Sequence, residues 1–444
     1  MRNEINFRNI NRLALPATVS GIAEPLLSIT DTAIVGNIPV DGLESLAAAG
    51  IVGAFLSMLV WVLGQTRSSI SSIISQYLGA GKLQEVKNLP AQAIYFNILL
   101  SLMVLLSTIF FIEEIFSLFN ASGKILEYCV SYYNIRVWGF PLTLFTFAIF
   151  GIFRGLQNTY YPMVIAIVGA LLNIVLDFAF VYGIEGLLPA MYLEGAAWAS
   201  LIAQGVMALL ALFYLLKKTE IGLKLVLPIN KEMKRLVQMS LNLFVRTLAL
   251  NAALMLAVRE ATTLGDEYIG AHTIAINLWL FSAFFIDGLS AAGNSMGGRL
   301  LGANDRDGLW LLAKNIVKYA LWVSLGLMAM GLVFYDPIGR LFSSSERVLG
   351  VFDSIFFLVI LGLPINALAF VFDGLFKGLG EMKYLRNVLL AATFLGFVPS
   401  LYLGLSLGWG IQAIWIAMGV WMLVRGSALV WKFRVKFRPL PQNL

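Results

Sequence analysis

Twelve stretches of this chain are so long and so apolar that only lipid can surround them. A hydrocarbon core of roughly 30 Å takes about 20 apolar residues to cross as a helix, and backbone without internal hydrogen bonds cannot face it. The stretches are 13–36, 45–78, 89–112, 128–153, 160–183, 192–216, 236–258, 268–298, 311–335, 348–376, 385–406 and 409–431. Composition agrees, since 13% of the 444 residues are charged and 59% hydrophobic, where a soluble domain carries about 25% charged residues. The expected fold class is an all-α integral membrane protein of twelve transmembrane helices. Soluble enzymes, nucleic-acid binders and disordered scaffolds fall away. The single cysteine, Cys129, leaves no internal disulfide, and the single histidine, His272, argues against a His-rich metal site. The polar, Arg-bearing opening MRNEINFRNINRL does not read as a signal peptide.

The net charge of +6 reads as topology, because Lys and Arg collect in cytoplasmic loops. Twenty-two Lys and Arg fall on the side of the N-terminus, against Lys124, Arg259, Arg340 and Arg347 on the other. Both termini are therefore expected in the cytoplasm, which an even number of crossings allows.

The chain also repeats itself. A shift of 223 residues lays GFPLTLFTFAIFGIFRGL (Gly139 to Leu156) on GLPINALAFVFDGLFKGL (Gly362 to Leu379), and Leu78-Gly79-Ala80 on Leu301-Gly302-Ala303. One offset in two distant places implies duplication of a six-helix unit, with both copies entering from the same side. The expected organisation is two pseudo-symmetric six-helix bundles, 1–216 and 236–444, joined by a basic cytoplasmic linker over 217–235. Paired bundles of this kind place substrate sites near mid-membrane.

An ionisable group inside a span costs about 2.5–3.5 kcal/mol on insertion scales, so each needs a reason. Asp353, Arg136, Lys318 and Arg425 lie near span ends and read as snorkelling to the interface. Asp31 and Asp177 sit deeper. Asn173 precedes Asp177 by four residues, which puts an amide and a carboxyl on one helical face. Such a pair can hold a proton or a small cation, or glue two helices together. Under the 223-residue shift Asp31, Asn173 and Asp177 fall on Leu254, Gly396 and Ser400. Carboxylates kept in one half only point away from simple glue. Desolvation favours the neutral acid, so a buried Asp can take up a proton and release it when its cavity opens to water. Pro16 and Pro25 in the first span each remove a backbone hydrogen bond and allow a hinge. Glu24 either lines the same cavity or lies at the water boundary. Arg246 and Arg67 either neutralise an acid or meet an anionic part of a substrate. His272 reads as a capping or surface residue.

The segments LALPATVSGIAEPLLSITDTAIVG (13–36), QYLGAGK (76–82), FRGLQNTYYPM (153–163), LLNIVLDFAFVYG (171–183) and EGAAWAS (194–200) together resemble the multidrug and toxic compound extrusion (MATE) family, and within it the DinF-like subgroup. The resemblance implies that Asp31 is the ion-coupling acid, that Asn173 and Asp177 act with it, and that Ser200 stands where that subgroup has a Thr. The NorM-type subgroup would place a coupling Glu in the seventh helix and an Asp in the tenth, but Leu236 to Val258 holds no acid, and Asp373 in the tenth lies four residues before Lys377-Gly378, nearer to it than expected of that subgroup's acid. The resemblance further implies a secondary transporter and not an enzyme, exporting organic cations or other amphipathic compounds against inward H⁺ or Na⁺. It needs no cofactor beyond that ion, with Na⁺ a possible occupant at Asp31, Asn173 and Asp177. It would work as a monomer among lipids of a bacterial plasma (inner) membrane, without nucleic acid. A lipid-linked saccharide flippase of the same superfamily is the rival. Such a protein should have extra spans and several basic groups in its cavity for a diphosphate.

Overall fold

The computed structural model describes residues 5–39, 41–343 and 345–439, apart from the side chains of 24–29 and 336. Glu24 and Pro25 fall among the side chains left out. The described residues form helices and loops, with one isolated bridge between Ile184 and Leu188 and no strand. In chain order the helices are α1 (Phe7–Gly36), α2 (Gly42–Leu63), α3 (Thr66–Gly79), α4 (Leu89–Ile109), α5 (Ile112–Leu118), α6 (Gly123–Arg136), α7 (Gly139–Gly155), α8 (Tyr160–Val181) and α9 (Tyr192–Lys218). There follow α10 (Glu232–Leu264), α11 (Asp266–Gly302), α12 (Arg306–Val333), α13 (Tyr335–Phe342), α14 (Glu346–Gly378), α15 (Met382–Ala391), α16 (Val398–Ser406) and α17 (Ile411–Lys436). Ten spans among the described residues are long and apolar enough to cross a membrane, and α6 with α7 adds an eleventh. α1 covers the first expected run.

Several runs expected as single helices are broken, each for a local reason. The 45–78 run divides into α2 and α3 at Gly64 and Gln65. There a Cβ on Gly64 would lie 2.8 Å from the Phe147 ring of α7, so only glycine lets the two helices approach this closely. The 128–153 run is bent by 46° between α6 and α7, just before Pro141, which cannot donate a backbone hydrogen bond. Between α15 and α16 the chain widens to a π-turn, Ala392–Phe397, ahead of Pro399, and such turns ease a missing donor. α5 and α13 are too short to span anything and were not expected.

The chain groups into two compact units. One contains Val19–Ile74 and Lys82–Val237, the other Met1–Thr18, Ser75–Gly81 and Gln238–Leu444. α1 is therefore shared, its residues through Thr18 grouping with the later half and those from Val19 with the earlier. The earlier unit packs around Val52, Phe55, Phe116, Tyr133 and Val181. The later one packs around Ala253, Trp279, Phe352, Trp415 and Trp421. The segment between α9 and α10 runs over 219–231 and is strapped to α4. Gln92 Nε2 donates to the Val226 carbonyl (2.9 Å), Tyr95 Oη to that of Leu223 (3.1 Å), and the Asn230 amide to Gln92 Oε1 (2.9 Å).

The internal repeat reappears as repeated contacts. In the earlier unit a Cβ on Gly151 would lie 2.6 Å from the Arg67 carbonyl oxygen, and one on Gly155 3.1 Å from that of Ser71. In the later unit a Cβ on Gly374 would run into the Ser290 carbonyl, and one on Gly378 into that of Asn294. Every member of the second set is 223 residues beyond its counterpart in the first. Without a hydrophobic drive between helices in lipid, glycines four apart are what permits this backbone-to-backbone packing.

Candidate functional site

In the earlier unit α1 and α8 meet through polar groups. Asn173 Nδ2 donates to Asp177 Oδ2 at 2.5 Å and to Asp31 Oδ1 at 3.3 Å. Asn173 and Asp177 are buried and Asp31 half-buried. The i, i+4 spacing on α8 brings amide and carboxyl together, and the fold supplies the third member from α1. Toward the C-terminal end of α8, Tyr182 Oη donates to the Ile34 carbonyl at 3.0 Å, fixing the two helices there. Beside that bond is an open pocket of about 350 Å³ lined by Thr30, Ala33, Ile34, Asn37, Phe178 and Tyr182, which none of Asp31, Asn173 and Asp177 lines.

Among the buried polar atoms of this unit that have no hydrogen-bond partner among the described residues are Asp177 Oδ1 and the hydroxyl of buried Ser200 on α9. α8 and α9 pack along one another. Arg136, read from sequence as an interfacial snorkeller, is half-buried at the end of α6 with its guanidinium 5.7 Å from the Tyr132 ring, and it attracts the Asp177 carboxylate. Tyr132 feels both carboxylates. The arrangement therefore has two acids, one neutral amide that donates to both, and one nearby cation. With both acids ionised a single negative charge is left over, which a proton or a monovalent cation would neutralise. Pro16 sits in α1 two residues before Thr18, where that helix passes from one unit to the other.

The later unit is arranged differently. Asp373 on α14 is buried and surrounded by Arg246 of α10, Lys377 of α14 and Arg425 of α17. Arg246 Nη2 donates to Asp373 Oδ1, Lys377 Nζ lies 3.0 Å from Oδ2, and Arg425 Nη2 lies 3.7 Å from Oδ1. Of the two roles open to Arg246, the geometry has it beside an acid. Arg425 does not snorkel; only 2% of it is exposed, because its helix turns that face inward among Trp421 and Phe370 (5.3 and 5.9 Å). Arg67 lies over the Phe147 ring at 4.9 Å. His272 is no surface cap but is buried against Trp415, with ring centroids 5.6 Å apart. Sequence reasoning missed Arg425 as an interior group because position along a span says nothing about which way the side chain points.

Comparison with known proteins follows the same lines. The MatE family model matches residues 16–179 and 243–402, one block in each repeat. The DNA damage-inducible protein F of Escherichia coli (strain K12) is 26% identical over 429 residues, covering 95% of this chain and 91% of that protein. The multidrug resistance protein NorM of Aliivibrio fischeri is 23% identical over 422 residues, covering 91% of this chain and 89% of that one. A crystal structure of MATE in the bent conformation superposes with a TM-score of 0.88 at 22% identity, over 96% of this chain and 94% of that one.

Proposed function

The chain belongs to the MatE family, and on that premise we propose that it is a secondary active efflux transporter. It exports organic cations or other amphipathic compounds in exchange for an inward ion, by alternating access, across a bacterial inner membrane with both termini in the cytoplasm. One observation carries the coupling role, the single Asn173 amide donating to Asp31 on α1 and to Asp177 on α8. Two carboxylates that share one neutral donor repel each other when both are charged, and binding a proton relieves that repulsion. Asp177 Oδ1, buried and without a partner, is the position open to it. A proton fits there with the amide as it stands. Na⁺ would prefer the amide oxygen, so Asn173 would have to turn its side chain over. The geometry therefore favours H⁺ as the coupling ion, with the Ser200 hydroxyl as a further oxygen for either.

The step that follows is conformational. Loading the site removes a donor–acceptor conflict between α1 and α8, so α1 can change shape without separating two like charges. Pro16, whose ring cannot bond the carbonyl one turn back, supplies a hinge just before α1 passes between units. Efflux of a fluorescent organic cation from proteoliposomes, under a pH gradient and a Na⁺ gradient imposed separately, tests the reading. Export driven by the pH gradient and lost in Asp31→Asn is expected. Export that persists unchanged in Asp31→Asn would remove the coupling role.

A further inference from the structure

Among the described residues the charges around Asp373 do not balance. Arg246, Lys377 and Arg425 meet one carboxylate, which leaves two positive charges in excess, and their side chains are only 7%, 14% and 2% exposed. Asp287 of α11, exposed to its surroundings, acts electrostatically on Lys377 and reduces the excess to one. Uncompensated charge in a low-dielectric interior costs several kcal/mol. Arg425 sharpens the point. Its Nη1 donates to the Met422 sulfur at 3.2 Å, while its Nη2 is buried and makes no hydrogen bond among the described residues.

The fold itself does not require this cluster. Shifted by 223 residues, Arg246, Asp373 and Arg425 fall on Ala23, Phe150 and Ile202, and only Lys377 finds a basic counterpart in Arg154. The helix contacts recur faithfully in both halves, yet of these four charges only that of Lys377 recurs, in buried Arg154. Structural glue would have been kept or lost together.

We propose that Arg246, Lys377 and Arg425 form an oxyanion site in the later half of the chain, which takes the carboxylate or phosphate group of an amphipathic ligand. Two guanidinium forks match an oxyanion in shape and supply several donors at once. Asp373 occupies part of that donor set and holds the cations in place, and the ligand's anionic group completes it. The rings of Phe370 and Trp421 beside Arg425 give the ligand's apolar part a surface. Lys377, the most exposed of the three cations, marks the way in. This site lies beyond the coupling role argued for Asp31, and its test reads binding, so it can fail while that role stands.

The experiment follows thermal unfolding of the purified full-length protein in an uncharged detergent, with inorganic phosphate or benzoate titrated against chloride at matched ionic strength. Stabilisation that saturates with phosphate or benzoate and is absent with chloride is expected. Affinity should fall about tenfold or more in Arg425→Gln, where a buried charged partner is removed. It should rise in Asp373→Asn, where the competing carboxylate is gone. The second variant decides the matter should the first fail to fold. Nanodiscs of phosphatidylcholine with and without phosphatidylglycerol separate the two sources of the anion. Stabilisation by phosphatidylglycerol alone assigns the site to a lipid headgroup, and stabilisation by benzoate in phosphatidylcholine assigns it to a soluble ligand. No anion-specific effect in the wild type and in Asp373→Asn, or an affinity unchanged in Arg425→Gln, would overturn the proposal.

Discussion

If Asp31 and Asp177 work as one site, replacing both by Asn should hurt export hardly more than replacing either. Each carboxylate accepts one hydrogen bond from the same Asn173 nitrogen, at 3.3 and 2.5 Å. A bond to a charged acceptor is worth about 1.5–3 kcal/mol and a neutral one about 0.5–1.5 kcal/mol. Neutralising one acid while keeping its shape therefore alters stability by roughly 1–2 kcal/mol at this site, a fraction of the 5–15 kcal/mol typical of a folded domain. The variants should reach the membrane folded. Their transport loss is larger, because a group that cannot hold the ion stops the whole cycle. Taking a loss of about a hundredfold for each single variant, independent sites would lose about ten thousandfold together. A shared site would stay near a hundredfold. That gap of two decades is about 2.7 kcal/mol of coupling, comparable with the charged hydrogen bonds that the shared amide makes. Initial rates of pH-driven efflux from proteoliposomes, normalised to folded protein by size-exclusion profile, measure it. Losses that multiply in the double variant would refute the shared site, even if both single variants were inactive enough to look catalytic.

Three further outcomes are expected. Reporter fusions within 217–235 should show this basic segment on the cytoplasmic side, and an external signal would undo the orientation read from charge. Gly374→Ala should lower the thermal midpoint in detergent, by about 1–3 kcal/mol of overpacking against the Ser290 carbonyl, and Gly326→Ala, which meets nothing within 4 Å, should not; equal effects would mean that the glycine contact is not what holds α11 to α14. Asp41 lies between α1 and α2 and is bonded to Lys124 (2.5 Å) and Tyr128 (2.6 Å), with the Lys124 bond first in holding its carboxyl below the usual range. Its contribution to stability is present above the ordinary carboxylate value of 3.8 and is lost as pH falls through the lowered native one. The thermal midpoints of wild type and Asp41→Asn should then differ at neutral pH and converge in strong acid.

The parts legible in the sequence are those that depend on one segment at a time. Long apolar runs become spans because lipid leaves backbone no other partner, and Asn173 with Asp177 is an i, i+4 pair whatever surrounds it. Interruptions inside an apolar run are harder to read. Gly64, Pro141 and Pro399 stand at or near the three breaks, but Pro364 lies inside the unbroken α14, so the residue type alone does not say whether a span breaks. The cause of each break is a contact with another helix or a proline's missing donor. The Asp373 cluster draws on α10, α14 and α17, residues that stand 127 apart for Arg246 and Asp373, and no local pattern ties them. Arg425 was misplaced for the same reason, since nearness to a span end fixes depth but not facing.

The two halves separate what packing demands from what chemistry demands. Gly151 and Gly155 against Arg67 and Ser71, and Gly374 and Gly378 against Ser290 and Asn294, are one contact made twice, so both copies of the duplication remain under the constraint of helix approach. The interior charges obey no such symmetry. The earlier half gathers two acids around an amide beside one cation, and the later half gathers three cations around one acid. Two copies of one bundle that make the same helix contacts give no reason in their packing for opposite polarity. Opposite polarity is what a protein handling a cation in one half and an anionic group in the other would need. The binding and efflux experiments above can fail independently on each side.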